Sequence, residues 1–231
     1  MRLNEVLKKT EELSWQEKLF FVAENFKNVT FSTSFSIEDQ VITDFIIKNK
    51  LDIEIFTIDT GRFFKETYQL WQNSLDKYKA KIKAYYPDQD EIAQYVEDKG
   101  INAFYDSVEL RKKCCEIRKV NPLKNALKDK DLWISGLRKS HSANRSDKPY
   151  FEEDKNFGLI KFYPILDFSD QELWDYIDKN QVPYNPLYKK GFVSIGCQPC
   201  TRAISAGQDN RAGRWWWENR DKNKVECGLH S

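Results

Sequence analysis

Short apolar segments rich in β-branched and aromatic residues recur along the chain, separated by turns and by longer segments of mixed polarity. Segments of this kind are typical of buried β-strands. Five of them predict strands, at residues 29–33, 53–58, 81–86, 132–137 and 158–163.

The longer segments carry apolar residues three and four positions apart, which is the spacing of one helix face. Residues 3–26 predict one or two amphipathic helices before the first strand, and beyond Pro183 the pattern weakens into loop and short helix. Pro122 is expected to interrupt the helical segment in which it lies. The later helices are predicted at residues 37–50, 63–78, 91–99, 109–128 and 170–179.

The alternation of strands and helices predicts an α/β fold, in which a mostly parallel twisted sheet is flanked by helices. No internal repeat or clear linker interrupts the 231 residues, so we expect a single domain over residues 1–231. It would comprise an N-terminal helical segment (1–28), an α/β core (29–182) and a C-terminal segment (183–231). We expect the C-terminal segment to fold back over the core and to end in a mobile tail.

Positive and negative residues nearly balance, at 37 and 36, so no global field would draw the chain to nucleic acid or to a membrane surface. No stretch approaches about 18 consecutive apolar residues, so we expect no membrane-spanning helix. Charged residues are spread through positions 1–30, and this predicts that there is no secretory signal. We therefore expect a cytoplasmic protein, in which thiols stay reduced or bind metal.

Polar segments follow three of the predicted strands, at residues 32–39, 59–62 and 136–145. Ligands of parallel sheets bind beyond the carboxyl ends of the strands. The first segment leads into a helix N-terminus, where hydroxyls and backbone N–H groups suit an anion, although a polar turn with an N-cap has the same composition. It lacks the glycine-rich Walker sequence. The third segment is either an anion site built on arginine or an exposed basic loop.

Five cysteines are an odd number and too few for a disulfide framework. Cys114 and Cys115 are adjacent, and Cys197 and Cys200 form a second pair. Four thiols suit an iron–sulfur cluster or a structural zinc ion, unless they are unrelated reduced pairs or redox dithiols. Adjacent side chains on a helix diverge by about 100°, which suits two irons of a cluster better than one tetrahedral ion.

The fifth cysteine, Cys227, lies near the C-terminus, where chains are mobile unless they are tied down. A nucleophilic cysteine needs cationic neighbours that lower its pKa. If the tail closes over the core, Cys227 is a candidate nucleophile; otherwise it is an inert surface thiol. The cations available to it would be Lys119, Arg211, Arg214 and His230.

Three consecutive tryptophans follow Arg214. Basic residues beside aromatic ones are found where bases of nucleic acid stack, but such tryptophans more often pack inside the protein. We therefore interpret residues 215–217 as packing residues, with the two neighbouring arginines available to an anion.

Three motifs together carry a resemblance to a known family. They are RKKCCEIRKV around the adjacent cysteines, GCQPCT around the second pair, and ECGLH around Cys227. In combination they resemble the signatures of the assimilatory adenylyl-sulfate (APS) reductases, and the similarity extends from about residue 30 to residue 230.

The resemblance implies a fold of the adenine-nucleotide α-hydrolase type. It implies reduction of adenosine 5′-phosphosulfate (APS) to sulfite and AMP, with thioredoxin or a glutaredoxin-like protein as the reductant. In the family the counterpart of Cys227 attacks the sulfur of the substrate, so that AMP leaves and an S-sulfocysteine forms on the enzyme. A [4Fe–4S] cluster would be held by Cys114, Cys115, Cys197 and Cys200.

The resemblance also implies a set of substrate-binding residues. Part of the set matches the nucleotide-binding loops, and part would hold the phosphosulfate group. The matching positions are Ser34, Ser36, Asp39, Gly61, Lys119, Gly136, Arg145, Arg211, Arg214 and His230.

Several alternatives stay open. The loop at residues 32–36 lacks the paired glycines of the ATP-using sulfurtransferases, which disfavours an ATP-dependent RNA sulfurtransferase on the same fold. The basic loop at residues 138–145 would suit the 3′-phosphate of PAPS, the 3′-phosphorylated relative of APS, so a PAPS reductase or a dual reductase is an alternative. A further alternative is a non-catalytic zinc module that binds a partner through its tryptophans. Whether the chain assembles into a homo-oligomer is left open by the sequence.

Overall fold

A six-stranded sheet forms the centre of the protein in the computed structural model, which describes residues 1–141 and 146–218. The strands are short, of three to five residues each. They are Val29–Ser32 (β1), Glu54–Ile58 (β2), Lys83–Tyr85 (β3), Leu132–Ser135 (β4), Phe151–Asp154 (β5) and Leu159–Phe162 (β6).

Across the sheet the strands follow the order β3–β2–β1–β4–β6–β5. Every neighbouring pair is parallel except β5 and β6, which form an antiparallel hairpin at one edge. Parallel neighbours need crossover connections. α-Helices supply them between β1, β2 and β3, whereas the chain passes from β4 to β6 through β5. The predicted α/β class, with a mostly parallel sheet flanked by helices, is confirmed.

Serine N-caps begin several of the helices. Ser14, Ser36 and Ser169 each accept a hydrogen bond from the backbone N–H three residues later. No helix within the described residues is both long and apolar enough to cross a lipid bilayer. The α-helices are Leu3–Thr10 (α1), Trp15–Asn25 (α2), Ile37–Lys48 (α3), Lys65–Tyr78 (α4), Gln89–Lys99 (α5), Val108–Cys115 (α6), Asn121–Leu127 (α7) and Asp170–Asn180 (α8).

The predicted interruption at Pro122 is wrong. The chain stays helical from α6 through a π-helical turn, Glu116–Val120, into α7. Pro122 lies in the first turn of α7, where a missing N–H is tolerated best. The irregularity therefore falls before the proline, directly after Cys115, and π-helical turns are frequent at functional sites.

The sequence pattern does not predict β5, because three of its four residues are acidic. Phe151 is buried and stacks on Phe162 of β6, with ring centroids 4.3 Å apart. This cross-strand contact and the hairpin pairing hold the strand at the sheet edge. A local sequence pattern does not predict a contact of this kind, because it forms only when the two strands pair.

Two apolar layers enclose the sheet. Successive side chains of a strand point to opposite faces, so Val29 and Phe31 of β1 join the layer that includes α2, α3 and α8. Trp133 of β4 and Phe56 of β2 point the other way and pack with Leu123 of α7. Helices on both faces leave the ends of the strands as the accessible edges of the sheet.

The strand register aligns the carboxyl ends of the three central strands. Ser32, the last residue of β1, pairs with Phe56 of β2 and with Ser135, the last residue of β4. The loops that leave these strands therefore emerge side by side. This is the edge at which the polar segments of the sequence are brought together.

A buried carboxylate links three helices beside this core. Asp44 of α3 has no exposed surface and accepts hydrogen bonds from the hydroxyl of Tyr78 at 2.7 Å and of Tyr176 at 2.9 Å. Lys48 lies 3.0 Å from the same carboxylate. Burial, together with the Asp44 charge, raises the pKa of both tyrosines, so their hydroxyls remain donors.

Tyr176→Phe is expected to lower the free energy of unfolding by about 1.5–3 kcal/mol, because it removes a hydrogen bond to a buried charge. The raised pKa of Tyr176 in the folded state means that this stabilisation is complete below about pH 10 and is lost as the pH rises further. Urea unfolding at several pH values measures it. Tyr184→Phe is the matched control, since the Tyr184 hydroxyl has no hydrogen bond among the described residues; equal losses for the two variants would contradict the assignment.

Candidate active site

A cavity of about 230 Å³ opens at the carboxyl edge of the sheet, beyond β1, β2 and β4. It is called the large cavity, in contrast to the smaller cavity at the cysteines. The loops after these strands form one wall, and residues 193–196 and 211–215 of the C-terminal segment form another. Seven of the substrate-binding residues expected from the sequence line it: Ser34, Ser36, Asp39, Lys119, Gly136, Arg211 and Arg214.

Gly61 is described but lines a neighbouring groove together with Arg118. Arg145, Cys227 and His230 lie outside the described residues.

The loop after β1 is organised by one buried carboxylate. Asp39 accepts hydrogen bonds from the backbone N–H of Ser34 at 2.6 Å and from the Ser34 hydroxyl at 2.7 Å. The hydroxyl of Ser36 caps α3 by accepting from the Asp39 N–H. Phe35, between the two serines, takes the left-handed conformation at φ 60° and is buried. Asp39 therefore holds this turn in the shape that lines the cavity.

Burial raises the pKa of Asp39 to about 6, and the neighbouring Glu38 charge raises it as well. The hydrogen bonds from Ser34 and Ser36 oppose this shift. The carboxyl group thus changes charge near neutral pH at the wall of a cavity that also carries cations.

Gly136, directly after β4, is packed against Asp39. A Cβ at Gly136 would lie 2.3 Å from Oδ1 of Asp39 and 3.1 Å from the side chain of Glu38. Only glycine permits this approach without displacing the carboxylate. The loops after β1 and β4 are therefore matched to each other in shape.

Arg138 has a structural place rather than the ligand-binding one expected for the basic loop. It is buried and donates to Glu38 at 2.9 and 3.1 Å, to Asp170 at 2.7 Å and to the carbonyl of Phe168 at 3.0 Å. These contacts tie the loop after β4 to α3 and to the start of α8. The sequence shows the cation but not the buried carboxylate that faces it.

The loop after β2 connects the cavity to the cysteines. Thr60 places its hydroxyl 3.3 Å from Sγ of Cys197. The buried guanidinium of Arg118, on the π-helical turn, donates to the Thr60 carbonyl at 2.7 Å. Asp59 accepts from the Gly61 N–H and from the hydroxyl of Tyr68, both at 2.8 Å. The Asp-Thr-Gly motif therefore supports the cysteine region as well as the cavity.

The four cysteines of the two pairs line one small cavity, and all four are free thiols. Cys114 and Cys115 end α6, while Cys197 precedes and Cys200 ends a 3₁₀ turn, Gln198–Cys200. Two segments more than 80 residues apart in sequence thus meet at this point, as the spacing of the two pairs predicts.

Local charges set the protonation of these thiols. Burial raises the pKa of Cys200 to about 12, and the neighbouring Cys197 charge raises it too. Burial also disfavours the thiolate of Cys197. The ammonium of Lys119, the hydroxyl of Thr60 and the guanidinium of Arg214 outweigh it, so the pKa of this thiol is lowered. A thiol with a lowered pKa is a better metal ligand, because the thiolate is the form that binds.

Four thiols that line one cavity are a donor set of the type that binds a metal centre. Among residues 1–141 and 146–218, no three His, Cys, Asp or Glu side chains converge closely enough to hold a single metal ion. A structural zinc site binds all four ligands on one ion, whereas an iron–sulfur cluster binds each thiolate on a different iron.

Arg214 reaches the cavity across a glycine. A Cβ at Gly196 would lie 2.3 Å from the guanidinium of Arg214, so the glycine makes room for it. Arg214 also forms an antiparallel bridge with Thr201, and the next residue, Trp215, donates its N–H to the Cys200 carbonyl at 3.2 Å. The C-terminal segment is thereby anchored to the second cysteine pair.

The tryptophans pack as the sequence predicts. Trp215 is buried, and the guanidinium groups of Arg111, Arg211 and Arg214 lie 4.5, 5.8 and 5.0 Å from its ring centroid. Arg111 is buried too and donates to both carboxylate oxygens of Glu218, at 2.7 and 3.0 Å. It therefore serves the packing of the C-terminal segment rather than an anion pocket.

Two groups of side chains in the lining of the large cavity differ chemically. Ile58, Leu123 and Trp133 belong to one packed apolar cluster, and this part of the lining is called the apolar end. Lys119, Arg211 and Arg214 form the cationic end; Lys119 and Arg214 act on the Cys197 thiol, and Lys119 also lines the cysteine cavity. Such a cavity suits a ligand with a flat apolar group at one end and an anionic group next to the thiols.

The sequence analysis does not predict four residues of the site, namely Thr60, Arg118, Trp133 and Gly196. Thr60 and Arg118 lie inside motifs that the sequence marks, and Gly196 directly precedes Cys197, so proximity to a motif is a usable signal for them. Trp133 looks like an ordinary strand residue. Its place in the cavity follows from the pairing of β1 with β4.

Comparison with known proteins identifies the family. A family model described as the phosphoadenosine phosphosulfate reductase domain matches residues 28–203. A Neisseria meningitidis serogroup A protein named adenosine 5′-phosphosulfate reductase is 48% identical over 223 residues, which cover 96% of this chain and 90% of that relative. The Allochromatium vinosum protein of the same name is 46% identical, with 96% and 86% covered.

Solved structures agree with the fold. The crystal structure of phosphoadenylyl-sulfate reductase from Candida auris, a phosphate complex, matches with a TM-score of 0.75 at 28% identity, over 88% of this chain and 98% of that one. An FMN adenylyltransferase from Candida glabrata in complex with ATP matches with a TM-score of 0.55 at 13% identity, over 96% and 76%, and supports the fold alone. The expected nucleotide α-hydrolase-like fold is confirmed, and the chain belongs to the phosphoadenosine phosphosulfate reductase domain family.

Proposed function

We propose that the protein reduces adenosine 5′-phosphosulfate to sulfite and AMP, with thioredoxin or a glutaredoxin-like protein as the reductant. The observation that carries the proposal is the position of Lys119, which lines both the large cavity and the cysteine cavity. A nucleotide in the large cavity would have its anionic end beside the thiols. The relatives named adenosine 5′-phosphosulfate reductase support the choice of substrate.

The reaction proceeds in two displacements. The thiolate of Cys227 attacks the sulfur of the substrate, the bond from that sulfur to the bridging phosphate oxygen breaks, and AMP leaves with the bonding electrons. A thiolate of the reductant then attacks Sγ of Cys227, and sulfite leaves with the electrons of the sulfur–sulfur bond. The second thiol of the reductant resolves the mixed disulfide, which restores the Cys227 thiol and leaves the reductant as a disulfide.

The cationic end of the cavity stabilises the first displacement. Charge develops on the phosphate oxygen as the bond to sulfur breaks, and Lys119, Arg211 and Arg214 line the space that this group would occupy. By the family resemblance, His230 adds to this set, and Arg145 belongs to the nucleotide-binding loops. The same cations would favour the thiolate of Cys227 when the tail approaches the cavity.

The polar loops bind the nucleotide portion. The Ser34–Ser36 turn lines the cavity at the N-terminus of α3. Asp39 acts on this turn through Ser34, and Gly136 permits the approach of Asp39. Gly61 keeps the loop after β2 close to Arg118.

The two cysteine pairs are proposed to hold a [4Fe–4S] cluster. Its ligands would be Cys114, Cys115, Cys197 and Cys200, whose four thiols share one cavity. When bound, the cluster supplies structural support and a local charge, since both electrons of the reaction come from the reductant. Lys119 lines both this cysteine cavity and the large cavity, so it would lie between the cluster and the anionic end of the nucleotide.

Two observations favour APS over its 3′-phosphorylated relative. The relatives at 46–48% identity are named for APS, whereas the solved PAPS reductase is 28% identical. Arg138, a cation that the basic loop would offer to a 3′-phosphate, is buried against Glu38 and Asp170. We further propose that the protein works in the cytoplasm, where thioredoxin is kept reduced, and that residues 183–231 act with the core as one domain.

Wild-type protein prepared without oxygen is expected to release sulfite and AMP from APS when reduced thioredoxin is supplied, and far less from PAPS. Cys227→Ser should abolish sulfite release because it removes the attacking thiolate, yet it should keep about four irons and four labile sulfides per chain. Cys200→Ser is the matched control and should lose iron. Sulfite release by the Cys227→Ser variant would overturn the mechanism.

Gly136→Ala is expected to raise KM for APS about tenfold, with a smaller change in kcat, because the added Cβ displaces Asp39 from Ser34. In an Asp39→Ala background the same change should have a much smaller effect, since the closest contact of the added Cβ, to Oδ1 of Asp39, is gone. Gly158→Ala, at φ 66° and away from the cavity, should lower stability and leave KM unchanged. A wild-type KM for Gly136→Ala would show that the contact has no part in binding.

A further inference from the structure

The hydroxyl of Ser32 is a polar group in the lining of the large cavity that the proposed reaction does not use. Ser32 is the last residue of β1 and lines the cavity beside Ile58, Leu123 and Trp133. Under the proposed function the apolar end receives the adenine base, because the cationic end lies beside the thiols. The inference rests on that function and concerns which side chain recognises the base.

Trp133 occupies one of the two acceptor positions of the Ser32 hydroxyl. The indole Nε1–H donates to Oγ of Ser32 at 2.8 Å. Trp133 is itself buried and cannot easily turn, because Lys161 lies 4.9 Å from its ring centroid and Phe157 packs edge-on at 6.1 Å. Lys161 is held in turn by Asp154, at 2.6 Å. A chain of buried contacts from β5 and β6 thus sets the orientation of the indole.

The hydrogen bond from Trp133 determines what Ser32 can offer to a ligand. A serine hydroxyl carries one proton and two acceptor positions, whereas an indole N–H is only a donor. With one acceptor position of Oγ occupied, the hydroxyl proton is directed elsewhere. Among residues 1–141 and 146–218 no hydrogen bond uses that proton, and the side chain borders the cavity. Ser32 therefore presents a donor to whatever fills the apolar end.

We propose that Ser32, oriented by Trp133, is a specificity-determining residue that donates a hydrogen bond to a ring nitrogen of the adenine base. Ile58, Leu123 and Trp133, which line the cavity with Ser32, are apolar and suit the faces of a purine. A ring nitrogen is an acceptor that a purine places at its edge, so a base without an acceptor at that position leaves the hydroxyl unsatisfied. Trp133 acts as a positioning residue, through the oxygen of Ser32.

Binding of AMP and its analogues separates this role from a structural one. Dissociation constants are measured by calorimetry for AMP, for 1-deaza-, 3-deaza- and 7-deaza-AMP, and for 2′-deoxy-AMP. Wild-type protein should bind one of the three deaza analogues about threefold to tenfold more weakly than AMP, the loss expected for one hydrogen bond. Ser32→Ala should bind AMP more weakly by a similar factor and should no longer distinguish AMP from that analogue.

Two further variants bear on the orientation of the hydroxyl. Trp133→Phe removes the N–H donor, so discrimination against the same analogue should fall while AMP still binds. Thr30→Val is the matched control, because Thr30 lies two residues earlier on the same face of β1 and its hydroxyl donates to the Glu54 carbonyl at 3.0 Å, away from the cavity. Its preference among the nucleotides should equal that of wild type.

The inference is overturned if Ser32→Ala keeps the wild-type ratios for all three deaza analogues, or if the discrimination it loses is against 2′-deoxy-AMP, which would assign the hydroxyl to the ribose. In both cases AMP binding by wild-type protein would still support the proposed function. If wild-type protein binds no AMP at all, the nucleotide site fails, and the inference fails with it.

Discussion

The approach of cations to the buried thiol of Cys197 is the interaction on which the site depends. Burial alone would keep this thiol protonated, and Lys119 and Arg214 reverse that effect so that its pKa is lowered. Buried charges are tolerated only where opposite charges compensate them. Lys119 and Arg214 also line the large cavity, so the same cations face the Cys197 thiolate and an anion bound in that cavity. The cysteine centre and the large cavity are in this sense one electrostatic unit.

Several local features of the fold bring these charges close to one another. Gly196 leaves room for the guanidinium of Arg214, and the π-helical turn after Cys115 carries Arg118 to the Thr60 carbonyl. The loops after β1 and β4 meet through the contact of Gly136 with Asp39. Each feature costs stability locally, by an irregular helix, a glycine or a buried charge, and each shapes a wall of the cavity.

Much of this arrangement can be predicted from the sequence, because the strands, helices and strand-end loops depend on local patterns of residues. Strand and helix periodicity predicts the parallel sheet, and the rule that ligands bind at the carboxyl ends of strands predicts the position of the cavity. The spacing of the cysteine pairs predicts that they meet. The partners of Arg111 and Arg138 are not readable in this way, since Glu218 and Glu38 lie about 100 residues away in sequence. The role of Ser32 escapes for the same reason, because Trp133 reaches it only through strand pairing.

The central claim, that the nucleotide and the cysteine centre share their cations, is tested most directly by spectroscopy of the iron-loaded Cys227→Ser protein. Under the proposed mechanism this variant binds APS without turning it over. Mössbauer spectra are recorded anaerobically as APS is added. If Lys119 lies between the two groups, saturation with APS changes the quadrupole splitting of the iron signals, and Lys119→Ala removes most of that change. Spectra that superimpose with and without saturating APS would contradict the account.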